Sequence, residues 1–546
     1  MSGRTARGGL LAAAGMIAVI TLLARVVGFG RWIAFSGSVG GTCVGEVYAT
    51  ANLLPNVLFE VAAGGALAAV AVPLVAGALA RGRDDEADDV ASALITWALT
   101  VLVPLALLLA VLARPLSTWL LGGRSELGCA QAGRVDLAVT MVLTFAPQIP
   151  LYGVGIVLAG VLQAHRRFLA AALAPLPSSA VVILAYLLYG HLATGSDGRP
   201  ESLGADAVAA LAGGTTLGVA ALSLPLLVPV RRLGVRLRPT WTFPPGAGRR
   251  AVHLAGAGVL ALIAQQVAVV ATATVSNHRG GTGTLNVYSY VQAVYLLPYA
   301  VLAVPVATAA FPSMVGDREA ADDPGASVVA RSLRTVVVVG VLGSAVLVSV
   351  ARPVGRFFEL IDASRHSAAG SSISSMEPAL VAYAGGLVGF AVIALLQRAL
   401  YVRGNPWHGA CAVAVGWLVA AVVPLVLVSD GSGSRSALSV LGWSSTAGMT
   451  LAALLLVGLV TRAWGRHATA PALRTAGASV VAGIVGGAVG TTVAHHLDAA
   501  SVVGAIASGV VVAAAAAAVY ATVLLVADSS SARMVRDRLR PARVTR

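Results

Sequence analysis

The chain has 546 residues, 58% hydrophobic and only 11% charged, with a formal net charge of +14. An average globular domain carries about 25% charged residues, so this composition excludes a water-facing surface of ordinary size and, with it, an ordinary soluble enzyme. All 37 basic residues are Arg and fall in short stretches between apolar runs, the topology signal of a membrane protein rather than a nucleic-acid-binding patch.

A spanning helix needs about 20 mostly apolar residues. The sequence predicts fourteen, at 9–35, 44–80, 90–113, 135–164, 169–193, 204–230, 251–277, 286–315, 332–353, 377–400, 408–428, 438–461, 472–495 and 501–527. The first run follows Arg4 and Arg7 and continues through Arg25 to Phe35 with no small-residue cleavage site, so it reads as an uncleaved helix. An even count puts both termini on one side. With that side cytoplasmic, inside loops and tails hold 26 Arg and outside loops nine, as the positive-inside rule requires. The densest inside loop runs from Arg231 to Arg250, and the tail from Arg533 is basic too.

The chain repeats itself. Leu53-Leu54-Pro55 in the second helix recurs as Leu296-Leu297-Pro298 in the eighth, and Ala113-Arg114-Pro115 after the third recurs as Ala351-Arg352-Pro353 after the ninth. The end of the fourth (161–167) echoes the end of the tenth (399–405) at an offset near 238. Six helices is an even number, so both halves insert the same way up, which predicts a parallel repeat about an axis along the membrane normal. The expected fold is an all-α integral membrane protein of two six-helix lobes related by a pseudo-two-fold, plus two C-terminal helices. The lobes are set at 1–238 and 239–465, with the last two helices at 466–527 and a basic cytoplasmic tail at 528–546.

Charges inside spans cost about 2.5–3.5 kcal/mol each on insertion scales, so they mark function or a paired structural site. The first helix carries Arg25 and Arg31, separated by Gly28 and Gly30; the second carries Glu46, Asn52, Asn56 and Glu60. Six residues turn a helix by about 600°, so the two arginines face about 120° apart and border a cavity rather than share one ligand atom. One reading is a cationic cavity for an anionic headgroup, since Arg pairs bidentately with phosphate. The other is a structural pair, Arg31 with Glu46 or Glu60. Asp136, Gln148, Gln163, Gln265, Gln266, Gln292 and Gln397 are further polar residues in spans, read mainly as interhelical hydrogen bonds.

Cys43 and Cys129 both fall on the outer side. A disulfide between them is possible, but two unpaired small core residues are the plainer reading. His495 and His496 are a weak metal hint. There is no phosphate-cradling loop, nucleophile elbow or zinc-ligand spacing; no metal, cofactor or enzymatic activity is expected.

The stretches ARVVGFGR (24–31), GEVYATANLLPN (45–56), GGAL (64–67) and VP (72–73) resemble the N-terminal signature of the MurJ/MviN lipid II flippases, within the multidrug/oligosaccharidyl-lipid/polysaccharide exporter superfamily. Residues 145–175 resemble that family's fourth and fifth helices and 398–406 its helix 10–11 turn; the likeness is nearest the actinobacterial branch. The resemblance implies a bacterial cytoplasmic-membrane flippase that moves lipid II, an undecaprenyl- or decaprenyl-pyrophosphate-linked substrate, to the outer leaflet by alternating access during cell-wall synthesis, with a groove beside the last two helices for the lipid tail. It implies a substrate site that includes Arg25 and Arg31, with Glu46 where the family has Asp. Asn52, Asn56, Glu60 and Gln292 complete the candidate set, and cell-wall synthesis proteins are candidate partners. The chain departs from the family pattern at Trp32, Phe59, Glu60, Gly64, Gln292 and Ala293, and helices 251–277 and 408–428 lack the carboxylates with which some members bind sodium. These departures keep open a flippase or exporter for another polyprenyl-linked glycan or a drug. A non-transporting scaffold of the cell-wall machinery is the third reading.

Overall fold

The computed structural model describes residues 20, 23–122, 129–194, 196, 198–243, 247–314, 324–362 and 368–527. Among them helix follows helix with short connections, and no strand forms. Eleven helices are long and apolar enough to cross a membrane, or twelve if the pair Ser372–Ala384 and Gly386–Val402, bent by 45°, is one span. The predicted count of fourteen is therefore not reached among the described residues. The first predicted helix begins outside them, although 23–38 is helical. The second, Cys43 to Ala80, is broken by a π-turn at Glu60–Gly64. The basic tail lies outside the described residues.

The chain divides into two compact units, one of residues Met1–Gln266 with Asp362–Gly370, the other of Val267–Ile361 with Ser371–Arg546. In the first, helices Gly65–Ala80, Asp84–Val111 and Gln148–Ala164 enclose a Val/Leu core that includes Val75, Leu94, Val157, Leu158 and Leu162. A Cβ at Gly160 would lie 2.6 Å from that of Ala71, so Gly is what lets these helices close. Trp97, on Asp84–Val111, and Trp119, on the following helix Ala113–Leu121, are both exposed.

The predicted inside loop after the sixth helix starts as an extended strap. From Leu233 to Phe243 it lies along Asp84–Val111, with Val235 buried and Leu233, Leu237 and Phe243 packed on the core. The amides of Arg236, Arg238 and Thr240 donate to Asp88 Oδ2 (3.0 Å), Ser92 Oγ (3.0 Å) and Thr96 Oγ1 (3.1 Å). Trp241 Nε1 donates to Thr100 Oγ1 at 3.0 Å, and Trp97 Nε1 to the Trp241 carbonyl at 2.9 Å. Four helical residues rise about 6.0 Å and two extended residues about 6.6 Å, so every second strap residue meets every fourth helix residue.

In the second unit, Pro324–Ile361 packs against Ala470–His495 and Val502–Ala527. Helices Pro406–Leu427 and Gly433–Trp464 cross where Gly416 and Gly448 face each other's carbonyls, leaving no room for a Cβ on either.

The repeat reaches backbone detail. Helix Gln148–Ala164 ends with Arg167 N–H donating to the Leu162 carbonyl and Arg166 N–H to that of Gln163, at 2.8 and 2.9 Å. Helix Gly386–Val402 ends with Asn405 N–H to Leu400 and Gly404 N–H to Tyr401, at 3.0 and 3.1 Å. Both are Schellman-type ends, which need a left-handed residue. Arg166 (φ 58°) and Gly404 (φ 76°) supply it, 238 positions apart. The π-turns Glu60–Gly64 and Tyr299–Ala303 recur in the same way, in the second and eighth helices.

Cys43 and Cys129 form a disulfide with Cα atoms 5.7 Å apart, which corrects the expectation of two unpaired thiols. Each sits at or just before the start of a helix, Cys43–Phe59 and Gln131–Phe145, so folding the hairpin brings them together. Cys411 is free and exposed.

Candidate functional site

Six of the seven candidate residues lie in the first unit and Gln292 in the second. Arg25 is exposed and Arg31 half-buried on the 23–38 helix. Space around Gly28 and Gly30 is open. Arg31 forms no ion pair with Glu46 or Glu60. Its guanidinium lies 5.9 Å from the Trp32 ring centroid and within electrostatic reach of the Tyr48 and Tyr152 hydroxyls.

Those tyrosines belong to a polar-aromatic cluster. Thr215 Oγ1 donates to the Leu211 carbonyl at 2.7 Å, which leaves its lone pair for Tyr48 Oη at 2.9 Å; Tyr48 in turn takes the proton of Tyr186 Oη, also 2.9 Å away. The chain of donors ends on Leu211, inside the π-turn Ala209–Gly213, where the helical ladder is interrupted and carbonyls are freed. Phe35, Phe145 and Tyr186 surround the Tyr48 ring at 5.5–5.9 Å. Tyr152 packs on Phe59 at 4.8 Å and feels Glu60, which is half-buried at the start of its π-turn. Arg31 and Glu60 therefore both act on Tyr152 without touching each other. One turn back, Asn56 Nδ2 donates to the Asn52 carbonyl at 2.8 Å, and Asn52 Oδ1 is buried with no hydrogen bond.

Glu46 is committed elsewhere. Arg134 Nη2 lies 2.5 Å from Glu46 Oε1, and the side chains are 3% and 1% exposed. Sequence reading counted Arg134 among outer-loop residues and missed it. The signal was present: Glu46 is three residues after Cys43 and Arg134 five after Cys129, so a disulfide at the helix starts sets both charges about one turn inside. Asp136, in contrast, is exposed and pairs with Arg114 at 2.9 Å. Gln148 is buried and donates to Thr216 Oγ1 at 3.0 Å.

In the second unit Gln292 lies near the hydroxyls of Tyr288 and Tyr383. Tyr383 also packs against Tyr295 at 5.7 Å. Among the described residues no group of three His, Cys, Asp or Glu side chains is disposed to hold a metal ion, and His495 is instead in contact with Arg352 through Nδ1.

The family description "Lipid II flippase MurJ" matches residues 35–523. The chain belongs to the lipid II flippase MurJ family. It is 27% identical over 466 residues to a probable lipid II flippase MurJ of Rhizobium meliloti (strain 1021), covering 82% of this chain and 80% of that one. It is 25% identical to a lipid II flippase MurJ of Burkholderia cenocepacia over 70% of this chain and 71% of the relative. In fold it is similar to a lipid II flippase MurJ solved in an inward closed conformation, with a TM-score of 0.68, 17% identity, and coverage of 93% and 99%. An inward-facing multidrug resistance transporter of the MATE family, in the MOP superfamily, is similar at a TM-score of 0.61 and 14% identity, over 82% and 98%. The family is one of flippases, not enzymes.

Proposed function

We propose that this chain flips lipid II, carrying its pyrophosphate-linked headgroup from the inner to the outer leaflet by alternating access between lobes 1–238 and 239–465. Beyond family membership, the observation that carries this reading is Arg31: a half-buried guanidinium with no carboxylate partner among the described residues, 5.9 Å from the Trp32 ring centroid and within electrostatic reach of the Tyr48 and Tyr152 hydroxyls. A cation among aromatic faces and hydroxyls suits a ligand that is phosphate at one end and sugar at the other. In this reading Arg25 and Arg31 neutralise the pyrophosphate, Asn52, Asn56 and Glu60 contribute to the same substrate site, and Gln292 is a further candidate contact. Glu46 acts through Arg134, by fixing the helices that carry the site. Helices 466–527 hold the lipid tail.

Both termini are assigned to the cytoplasm. The Arg bias supports this, and so does the Cys43–Cys129 bond, because disulfides persist on the oxidising side of a bacterial membrane. With the interior negative, expelling two charges through 100 mV gains about 4–5 kcal/mol, enough to bias export without a nucleotide. Cell-wall synthesis proteins are the natural partners.

The test is translocation of labelled lipid II in proteoliposomes holding an inside-negative potential. The wild type should flip it, and Arg31→Ala should lose most of the rate at equal reconstitution; equal rates for the two reject the assigned site. A second reading rests on Phe59, Glu60 and Gly64, where the family pattern carries charge differently: the cargo is another polyprenyl-linked glycan. Failure to support growth of a strain depleted of its lipid II flippase, at normal protein levels, selects it.

A further inference from the structure

A cavity of 490 Å³ opens in the second unit at the end of helix Pro324–Ile361, beside the start of Met376–Ala384 and the connection between Ala470–His495 and Val502–Ala527. Its charged lining is Arg352, Arg356, Glu359, Glu377 and Asp498. Four of these are paired. Arg352 meets Asp498 at 2.8 Å, and Arg356 meets Glu359 at 3.2 Å while its Nε donates to the Ala499 carbonyl at 3.0 Å. Glu377 has no hydrogen bond or ion pair among the described residues and is half-buried against the cavity. Two cations against three carboxylates leave Glu377 as the lining carboxylate without a facing positive charge.

What supplies that charge is constrained by depth and by donor set. Among the described residues no three potential metal ligands gather there, so the donor set does not point to a metal ion. Between Arg334 and Arg352 the long helix carries no charge, and those eighteen residues rise about 27 Å, close to a hydrocarbon core. Arg352 therefore stands at headgroup level. The cavity does not stop there: Ser508, six residues down Val502–Ala527, also lines it, and Val503 and Ile506 on that helix are exposed at 76% and 52%.

We propose that this cavity binds the ammonium-bearing headgroup of a phospholipid, with Glu377 accepting from the ammonium and the half-exposed Arg356 beside the phosphate. The site is separate from the Arg31 cluster and does not depend on which cargo the protein moves.

The experiment is native mass spectrometry of the full chain extracted from liposomes of equal phosphatidylethanolamine and phosphatidylglycerol. The wild type should retain phosphatidylethanolamine about tenfold over phosphatidylglycerol, as a charge-assisted hydrogen bond implies. Glu377→Gln, which keeps the shape, should erase that preference, and Ser374→Trp at the rim should lower retention of the lipid altogether. A parallel arm with phosphatidylcholine, whose quaternary nitrogen donates no hydrogen bond, should show weaker retention. Equal retention of the two lipids by the wild type overturns the proposal, as does an undiminished preference in Glu377→Gln.

Discussion

Arg134 and Glu46 meet at 2.5 Å across 88 positions of sequence, both almost fully buried. Removing one partner leaves the other charge stranded, which costs about 3–5 kcal/mol. Arg134→Met and Glu46→Leu should each lower the unfolding midpoint in detergent substantially. The double substitution should recover most of the loss, because apolar side chains of similar volume replace such pairs well. A double mutant no better than either single would mean that the pair is not an isolated unit.

The disulfide beside it should account for about 2–4 kcal/mol, the usual range for a long loop. Cys43→Ser is expected to lower stability by that amount, and alkylation of the denatured, unreduced wild type should label Cys411 alone. Labelling of all three cysteines would show that the bond does not form.

Two helix ends that share one geometry should respond in opposite ways. Arg166 holds φ 58°, a conformation that costs an L-residue about 1–2 kcal/mol; Arg166→Gly should stabilise by up to about 1 kcal/mol. Gly404→Ala should cost about 1 kcal/mol. A Cβ there meets no atom within 4 Å, so the whole effect is backbone strain. Thermal melts of the two variants in the same detergent give the signs.

The strap depends on hydroxyls. Thr96→Val removes the acceptor of the Thr240 amide, at about 1–2 kcal/mol for the group left unpaired, and Thr100→Val frees the Trp241 indole. Arg236 and Arg238 are exposed, so limited trypsinolysis reads the strap directly. Both variants should be cut faster than the wild type at Arg236, the cleavable one of the two because Pro239 follows Arg238. Unchanged rates would mean that the apolar contacts of Val235 hold it alone.

Much of this molecule is legible from residue types. Apolar length gives the spans, Arg placement their expected direction, and Leu-Pro and Arg-Pro repeats the internal offset, because each reflects a property local to one segment. The misses are relations between segments. Nothing in a hydropathy profile says that Ser92, Thr96 and Thr100 present acceptors to an extended chain 141 to 146 residues away. Arg134 looks like a loop residue until the disulfide sets it opposite Glu46. Tyr48, Tyr186 and Thr215 are unremarkable apolar-run residues in one dimension, and only packing makes them one hydrogen-bonded cluster within electrostatic reach of Arg31. The π-turns have no composition signature of their own.

The Cys43–Cys129 bond also sets a schedule for biogenesis. In the proposed orientation those helix starts are outside, and the second cysteine follows the first by 86 residues, roughly 4–17 s of synthesis at 5–20 residues per second. Until then Cys43 waits as an unpaired thiol, and Glu46 waits without its arginine. The first unit is thus locked only after its fourth helix begins to insert, which makes an extracytoplasmic thiol oxidant a participant in assembly. Cells with weakened disulfide formation should accumulate a protease-sensitive form of this protein before any defect in lipid transport appears.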